Sequence, residues 1–174
     1  VSSILAKKWT TVFDQYCPQW RDKLIDQGFW RRIDTIPDTV FWQTHQSLKA
    51  NLLKDVCTRL SLQHSRNACS RAFQKASIGH MQDESSDILV LGFARRFATY
   101  KRATLLFSDI DRLTRILNNP KRPMIILFAG KAHPSDEPGQ QLIREIHQFS
   151  ERPEFVGKII LLEGYDLSLA RYMI

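Results

Sequence analysis

The sequence predicts an α/β fold in which a parallel sheet is flanked by helices on both faces. Three short runs, apolar apart from Lys158 at the start of the third, lie at residues 88–91, 124–128 and 158–162. They are separated by segments in which apolar residues follow helical spacing. The apolar residues of each run are continuous rather than alternating, which is typical of parallel strands covered on both sides. We therefore expect right-handed crossovers, with all strands ending at one edge of the sheet.

The first part of the chain, residues 1–86, is predicted to be a mostly helical lead-in segment. It is rich in tryptophan, and the four residues lie at intervals of 11, 10 and 12: Trp9, Trp20, Trp30 and Trp42. The residues between them do not match. We therefore interpret the tryptophans as large packing residues rather than as a repeat.

A long helix is predicted within this lead-in, from Thr39 to about Leu62, with Asp38 as its N-cap. The residues expected to face the core are Leu52, Val56 and Leu60. The polar stretch 74–87 is predicted to be a loop or a frayed helix end before the first strand.

Four cations follow the first predicted strand. The apolar run ends at Gly92, and Arg95, Arg96, Lys101 and Arg102 come next. A strand–loop–helix junction presents backbone N–H groups and the positive end of a helix dipole, so it favours an anion such as phosphate. Arg96 on the loop and Lys101 on the first helical turn can reach one oxyanion from different sides. A solvated basic loop is the alternative interpretation.

Helices are predicted after the first and second strands. The first has apolar residues at steps of 4, 3 and 4, at Leu106, Ile110, Leu113 and Leu117. The second has Leu142, Ile146 and Phe149 facing inward. The loops after the three strands should then share the carboxyl edge of the sheet, where ligands bind in doubly wound folds.

Composition narrows the classes of function. The formal charge is +7, from 25 basic and 18 acidic residues, but the two signs are intermixed. We find no aromatic RNA-binding motif, zinc-finger spacing or polybasic tail, and therefore predict no nucleic-acid partner. No apolar run reaches the roughly 18 residues of a membrane span, and the five histidines lack metal-ligand spacing. Three cysteines without a CxxC pair or a signal segment predict reduced thiols and a cytoplasmic location.

Three segments carry a resemblance to a known family: GFARRFATYKRA at 92–103, FAGKAHPSDEPG at 128–139 and LLEGYDLSLARYMI at 161–174. Together they resemble the α-glucan (glycogen and maltodextrin) phosphorylases, particularly the short bacterial form. The spacing of Arg96 and Lys101 is shared more loosely with retaining glycosyltransferases. The resemblance implies a Rossmann-like sheet within a two-Rossmann-domain glycosyltransferase fold. Residues 87–174 would form the first half of the C-terminal domain.

The resemblance also implies roles for five residues. Arg96 and Lys101 would bind the substrate phosphate. Arg95 stands where the family places a basic residue against the phosphate of the cofactor, pyridoxal phosphate. Tyr165 and Leu167 stand where residues after the third strand pack on that cofactor.

The chain departs from the family pattern in several places. Longer animal and plant enzymes have lysine at the position of Arg95 and arginine at that of Asp166, so we leave Asp166 out of the site. The loop containing Lys131 and His133 also differs, and their roles stay open. The cofactor lysine of the family belongs to a glycine-rich segment of EASGTSGMK type, which has no counterpart here. We therefore expect a fragment whose covalent cofactor lysine lies outside this chain.

The implied reaction is phosphorolysis of α-1,4-glucan to α-glucose 1-phosphate, with glucan and inorganic phosphate as partners. The fragment alone is expected to be inactive. One alternative is a nucleotide-sugar-dependent retaining glycosyltransferase of the same fold, which would use the same cations on a diphosphate. Another is a non-enzymatic Rossmann-like module that binds an anion or a partner.

Overall fold

The computed structural model describes residues 5–79, 81 and 87–173 and has a layered α/β architecture. The helices and strands described are, in chain order, α1 (Thr10–Tyr16), α2 (Asp38–Arg66), α3 (Arg71–Gly79), β1 (Leu89–Ala94), α4 (Ile110–Leu117), β2 (Met124–Ala129), α5 (Glu137–Ser150), β3 (Ile159–Leu162) and α6 (Leu167–Met173). A π-helical turn covers Leu5–Trp9, and 3-10 turns cover Trp20–Asp22, Phe29–Thr35, Thr99–Lys101 and Leu105–Ser108.

The three strands form one parallel sheet in the order β1-β2-β3, which confirms the predicted architecture. The first strand is longer than predicted, since it runs to Ala94 rather than ending at residue 91. Residues 92–94 continue the ladder, with Phe93 opposite Phe128 and Ala94 opposite Ala129. Pairing with β2 therefore extends the strand past the glycine that seemed to end it.

Helices α4 and α5 cover one face of the sheet. The core on this face is rich in aromatic residues and includes Phe97, Phe107, Phe128, Ile146, Phe149 and Phe155. The rings of Phe107 and Phe149 stack with their centroids 4.0 Å apart. Burying each such side chain contributes about 1.5–3 kcal/mol, so this layer is a major source of stability.

Helices α2, α3 and α6 cover the opposite face. Val56 and Leu60 of α2, both predicted to face the core, are buried there with Leu169 of α6. Leu52 is partly buried in the same cluster. The long helix of the lead-in thus shares a core with the sheet. No helix in the described part of the chain combines the length and apolarity needed to cross a membrane.

Two boundaries in the lead-in differ from the prediction. Helix α2 begins at Asp38, so Pro37 occupies the N-cap and Asp38 lies in the first turn. A carboxylate in the first turn stabilises a helix through its interaction with the helix dipole. The stretch 74–87, predicted to be a loop or a frayed helix end, is helical as far as Gly79. Ser77 and Ile78 are buried there, and Ile78 belongs to the core of this face. The remainder of that stretch, residues 80 and 82–86, lies outside the described residues.

The helix after β1 also starts later than predicted. Lys101 lies in a short 3-10 turn, and Arg102 then adopts a left-handed conformation with φ of 51°. Helix α4 begins only at Ile110, where the Asp109 side chain accepts a hydrogen bond from the N–H of Arg112 at 2.9 Å. The prediction that a helix begins beside the cations is therefore wrong, since the helix begins at Ile110, directly after its N-cap Asp109.

The tryptophans of the lead-in pack around Phe13. Its ring centroid lies 5.7 Å from Trp9, 5.6 Å from Trp20 and 5.7 Å from Trp30. These three are packing residues, as predicted. Trp42 is 53% exposed and lies outside that cluster.

Candidate functional site

The candidate site lies at the carboxyl edge of the sheet, where the three strands end. Because the strands are parallel, the loops that follow Ala94, Ala129 and Leu162 meet at this edge. Arg95 and Arg96 lie on the first loop, Lys131 and His133 on the second, and Tyr165 on the third. The fold thus brings all three family-like segments to one side of the molecule.

Two glycines leave room for the first loop to pack closely against its neighbours. A Cβ atom at Gly130 would lie 2.0 Å from the backbone oxygen of Arg95, and one at Gly139 would lie 2.6 Å from that of Phe97. The N–H of Phe97 donates to the carbonyl of Lys131 at 3.0 Å, and its side chain is fully buried. The exposed side chains of Arg95 and Arg96 therefore extend from a closely packed backbone.

Arg96 and Lys101 meet at one aromatic residue, Tyr100. The Lys101 Nζ atom lies 4.6 Å from the centroid of the Tyr100 ring. A hydrogen bond from Arg96 and the positive charge of Lys101 together lower the pKa of the Tyr100 phenol below its usual value. The two cations chosen from their spacing are thus close enough to act on one negative group.

The site cations lack acidic partners. Within the described residues, Arg95, Arg96 and Lys101 form no ion pair with a carboxylate, whereas Arg59 and Arg66 do. Arg95 and Arg96 are exposed and Lys101 is half-buried. Positive charge that is not neutralised within the protein attracts an anion to this edge.

The third loop is tied to helix α2. The Asp166 carboxylate accepts a hydrogen bond from the N–H of Leu169 at 2.7 Å and pairs with Arg59 at 3.3 Å. The Leu169 hydrogen bond and then the Arg59 charge lower the pKa of Asp166. Tyr165 is half-buried against the core of α2 and α6, while Leu167 is 76% exposed.

The two residues whose roles were left open make local contacts. The backbone of Lys131 accepts the Phe97 hydrogen bond, and its side chain is exposed. His133 Nδ1 lies 2.7 Å from the hydroxyl of Ser135 in its own loop. Asp136 then caps α5 by accepting from the N–H of Gly139 at 3.0 Å. Over the described residues, no group of three or more His, Cys, Asp or Glu residues could hold a metal ion.

Sequence reasoning missed three residues that shape this edge: Tyr100, Gly130 and Gly139. Tyr100 is four residues after Arg96 and next to Lys101, so its spacing could have indicated a contact with both. Gly130 directly follows a buried strand, a position where glycine often marks close approach of another backbone segment. Gly139 carries no comparable signal.

Comparison with known proteins shows which proteins this chain is similar to. No protein-family model matches the sequence. The chain is, however, 39% identical over 164 residues to the maltodextrin phosphorylase of Thermococcus litoralis and to the glycogen phosphorylase of Aquifex aeolicus, each match covering 94% of this chain. It is 33% identical over 166 residues to the glycogen phosphorylase of Mycobacterium tuberculosis, across 90% of its length. The chain is a homologue of the glycogen and maltodextrin phosphorylases.

These matches confirm the resemblance to the glycogen and maltodextrin phosphorylases. The chain spans about a fifth of the length of these phosphorylases, since the matches cover 19%, 23% and 19% of the three relatives. A match over 94% of this chain includes most of the helical lead-in as well as the sheet. The similarity to phosphorylases is therefore not restricted to the three segments that first indicated it.

Proposed function

We propose that this chain forms part of an α-glucan phosphorylase that cleaves α-1,4-glucan with inorganic phosphate. In this reaction a phosphate oxygen forms a bond to C1 of the terminal glucose, and the bond from C1 to the glucan oxygen breaks. The leaving oxygen takes up a proton, and the product is α-glucose 1-phosphate. The convergence of Arg96 and Lys101 at Tyr100, without carboxylate partners among the described residues, is the observation that carries this proposal.

We assign the substrate phosphate to Arg96 and Lys101. A guanidinium offers two parallel donors to a phosphate, and an ammonium adds a compact charge from another direction. Both act more strongly when a cleft excludes water, because the effective dielectric constant falls. The close packing of the first loop on Gly130 supports this role, since fixed donors lose less free energy on binding.

We assign the cofactor, pyridoxal phosphate, to Arg95, Tyr165 and Leu167. Arg95 offers an exposed guanidinium beside Arg96, and Tyr165 and Leu167 offer apolar surface at the same edge, so the donor set fits a phosphorylated aromatic group. When bound, this group supplies a phosphate that can transfer a proton. Arg95 would hold that phosphate. The lysine that binds the cofactor covalently would belong to another part of the phosphorylase.

The substrate-phosphate assignment is tested in the full-length phosphorylase that carries this segment. Lys101→Ala should lower phosphorolysis by about 30- to 1,000-fold, because one charged donor to the developing transition state is lost. Arg96→Lys should also be damaging, since an ammonium cannot reproduce the planar donor pair. Lys121→Ala, an exposed lysine before β2 at the other end of the sheet, is the matched control. Unchanged phosphate kinetics in Lys101→Ala would refute the assignment.

The cofactor assignment is tested by comparing Arg95→Ala with Arg96→Ala in the same enzyme. Arg95→Ala should weaken retention of pyridoxal phosphate on dialysis, and the apparent affinity for phosphate should change less than in Arg96→Ala. If both variants kept their cofactor and lost only affinity for a sugar nucleotide, the glycosyltransferase alternative would replace the phosphorylase.

Two further properties follow from the proposal. The isolated 174-residue chain should show no phosphorolysis and hold no covalent pyridoxal phosphate, because a Schiff base needs a specifically placed lysine. An aldimine absorbance band that persists after dialysis and maps to a lysine of this chain would contradict this. We also propose a cytoplasmic location, which the three free cysteines support.

A further inference from the structure

The loop between β3 and α6, residues 163–166, is anchored to helix α2 at both of its ends. At its start, the N–H of Glu163 donates to Gln63 Oε1 at 3.0 Å. At its end, the Asp166 carboxylate accepts hydrogen bonds from the Arg59 guanidinium at 3.3 Å. Anchors at both ends leave so short a loop little conformational freedom.

Arg59 is itself held in place by a second carboxylate. Its Nε atom donates to Asp55 Oδ2 at 2.7 Å, one helical turn earlier on α2. Because this hydrogen bond orients the plane of the guanidinium, its two terminal nitrogens are directed at Asp166. A chain of contacts therefore runs from Asp55 through Arg59 to the third loop.

Asp166 passes this constraint to helix α6. Its Oδ1 atom accepts from the N–H of Leu169 at 2.7 Å, so one carboxylate both pairs with Arg59 and caps the helix. Leu169 is fully buried in the core that α6 shares with α2 and the sheet. The orientation of Arg59 therefore bears on the positions of Tyr165 and Leu167, which lie directly before and after this carboxylate. We call these two side chains the ring surface.

The exposure of the ion pair indicates what the pair does. The Asp166 side chain is 50% exposed, and ion pairs that solvent reaches contribute little to the stability of a fold. The Arg59 side chain is only 21% exposed, so a long cation is ordered and partly desolvated in making this pair. Since the gain in stability is small, the main consequence of the pair is a fixed geometry of the loop.

We propose that Arg59 is a positioning residue that acts through Asp166 to hold the ring surface in place against pyridoxal phosphate. The inference rests on the proposed function, which assigns the cofactor to the ring surface and Arg95. Arg59 acts on the packing of the cofactor ring, whereas Arg95 acts on its phosphate. A fixed surface loses less free energy on binding than a mobile one, so the cofactor is held more tightly.

Retention of pyridoxal phosphate by the full-length enzyme tests this inference. Arg59→Ala should release the cofactor about three- to tenfold faster on dialysis, at a temperature where circular dichroism shows every variant folded. Arg59→Lys should restore part of the retention, since an ammonium keeps the charge that faces Asp166. Lys49→Ala on α2 is the matched control, because the Lys49 side chain is 13% exposed and donates to the carbonyl of Ile88, before β1 at the other end of the sheet. Equal release from the two alanine variants would overturn the proposal.

A second measurement separates the cofactor ring from its phosphate. Arg59→Ala should shift the fluorescence of the bound cofactor, whereas the phosphorus NMR signal of the cofactor phosphate should change less than in Arg95→Ala. Asp166→Asn keeps an oxygen for the N–H of Leu169 and should have the same effect as Arg59→Ala. The double variant should release the cofactor within about twofold of either single variant. Additive effects of the two substitutions would overturn the proposed action through Asp166.

The outcomes distinguish this inference from the proposed function. Normal retention in Arg59→Ala beside rapid loss in Arg95→Ala would overturn the inference and leave the assignment of Arg95 to the cofactor intact. Faster loss from Arg59→Ala combined with normal phosphate kinetics in Lys101→Ala would support the inference and refute the assignment of the substrate phosphate.

Discussion

Replacing Gln63 with leucine should destabilise the chain more than any comparable change on the surface of α2. The side chain is only 7% exposed and makes two hydrogen bonds to the end of β3. Leucine has a similar volume, so the change removes the amide without opening a large cavity. The carbonyl of Leu161 and the N–H of Glu163 would lose their partners.

The magnitude follows from the burial of those two groups. Leu161 is 8% exposed, and a buried group left without a partner costs about 1–3 kcal/mol. Glu163 is exposed, so its N–H can bind water and should cost about 0.5–1.5 kcal/mol, the net value of an ordinary hydrogen bond. We therefore expect Gln63→Leu to lower the free energy of unfolding by about 2–4 kcal/mol.

Urea unfolding followed by far-ultraviolet circular dichroism measures this loss. The matched control is Gln46→Leu on the same helix, where Nε2 donates to the exposed Asp87 carboxylate at 3.2 Å. That variant should change the free energy of unfolding by less than about 0.5 kcal/mol. If the two variants had the same stability, the hydrogen bonds of Gln63 to the end of β3 would not contribute the stability that we expect.

Three further predictions concern pH, backbone packing and the cation pair. Burial lowers the pKa of His64, so the unfolded chain takes up a proton more readily than the folded one, and the free energy of unfolding should fall as the pH drops below about 6.5. His64→Leu should flatten this pH dependence in urea titrations, and an unchanged slope would contradict the prediction. Gly130→Ala should lower the free energy of unfolding by about 1–3 kcal/mol or more, measured with urea, because the new Cβ atom would clash with the Arg95 backbone. Gly79→Ala, which has open space around it, should be neutral or stabilising, and equal effects of the two variants would refute the close approach at Gly130. The pKa of Tyr100, followed by carbon NMR, should rise in Arg96→Ala, and no change would mean that Arg96 does not contact the phenol.

Local patterning was enough to predict the layers of this fold. Continuous apolar runs indicated buried parallel strands, and helical spacing placed Val56, Leu60, Ile146 and Phe149 on core-facing sides. The same reasoning placed Arg95 at the carboxyl edge, because parallel strands end on one side. These features depend on residues near one another in sequence, where periodicity and charge can be recognised directly.

Only the tertiary structure decided the features that depend on residues distant in sequence. β1 extends past Gly92 because β2 pairs with it. Gln63 hydrogen-bonds to Leu161 at the end of β3, although the two residues are 98 positions apart in the sequence. Gly130 must be glycine because the backbone of Arg95 crosses it closely. Such contacts arise when elements pack, and no local pattern encodes them, because the packing partner of each residue is set by the whole fold.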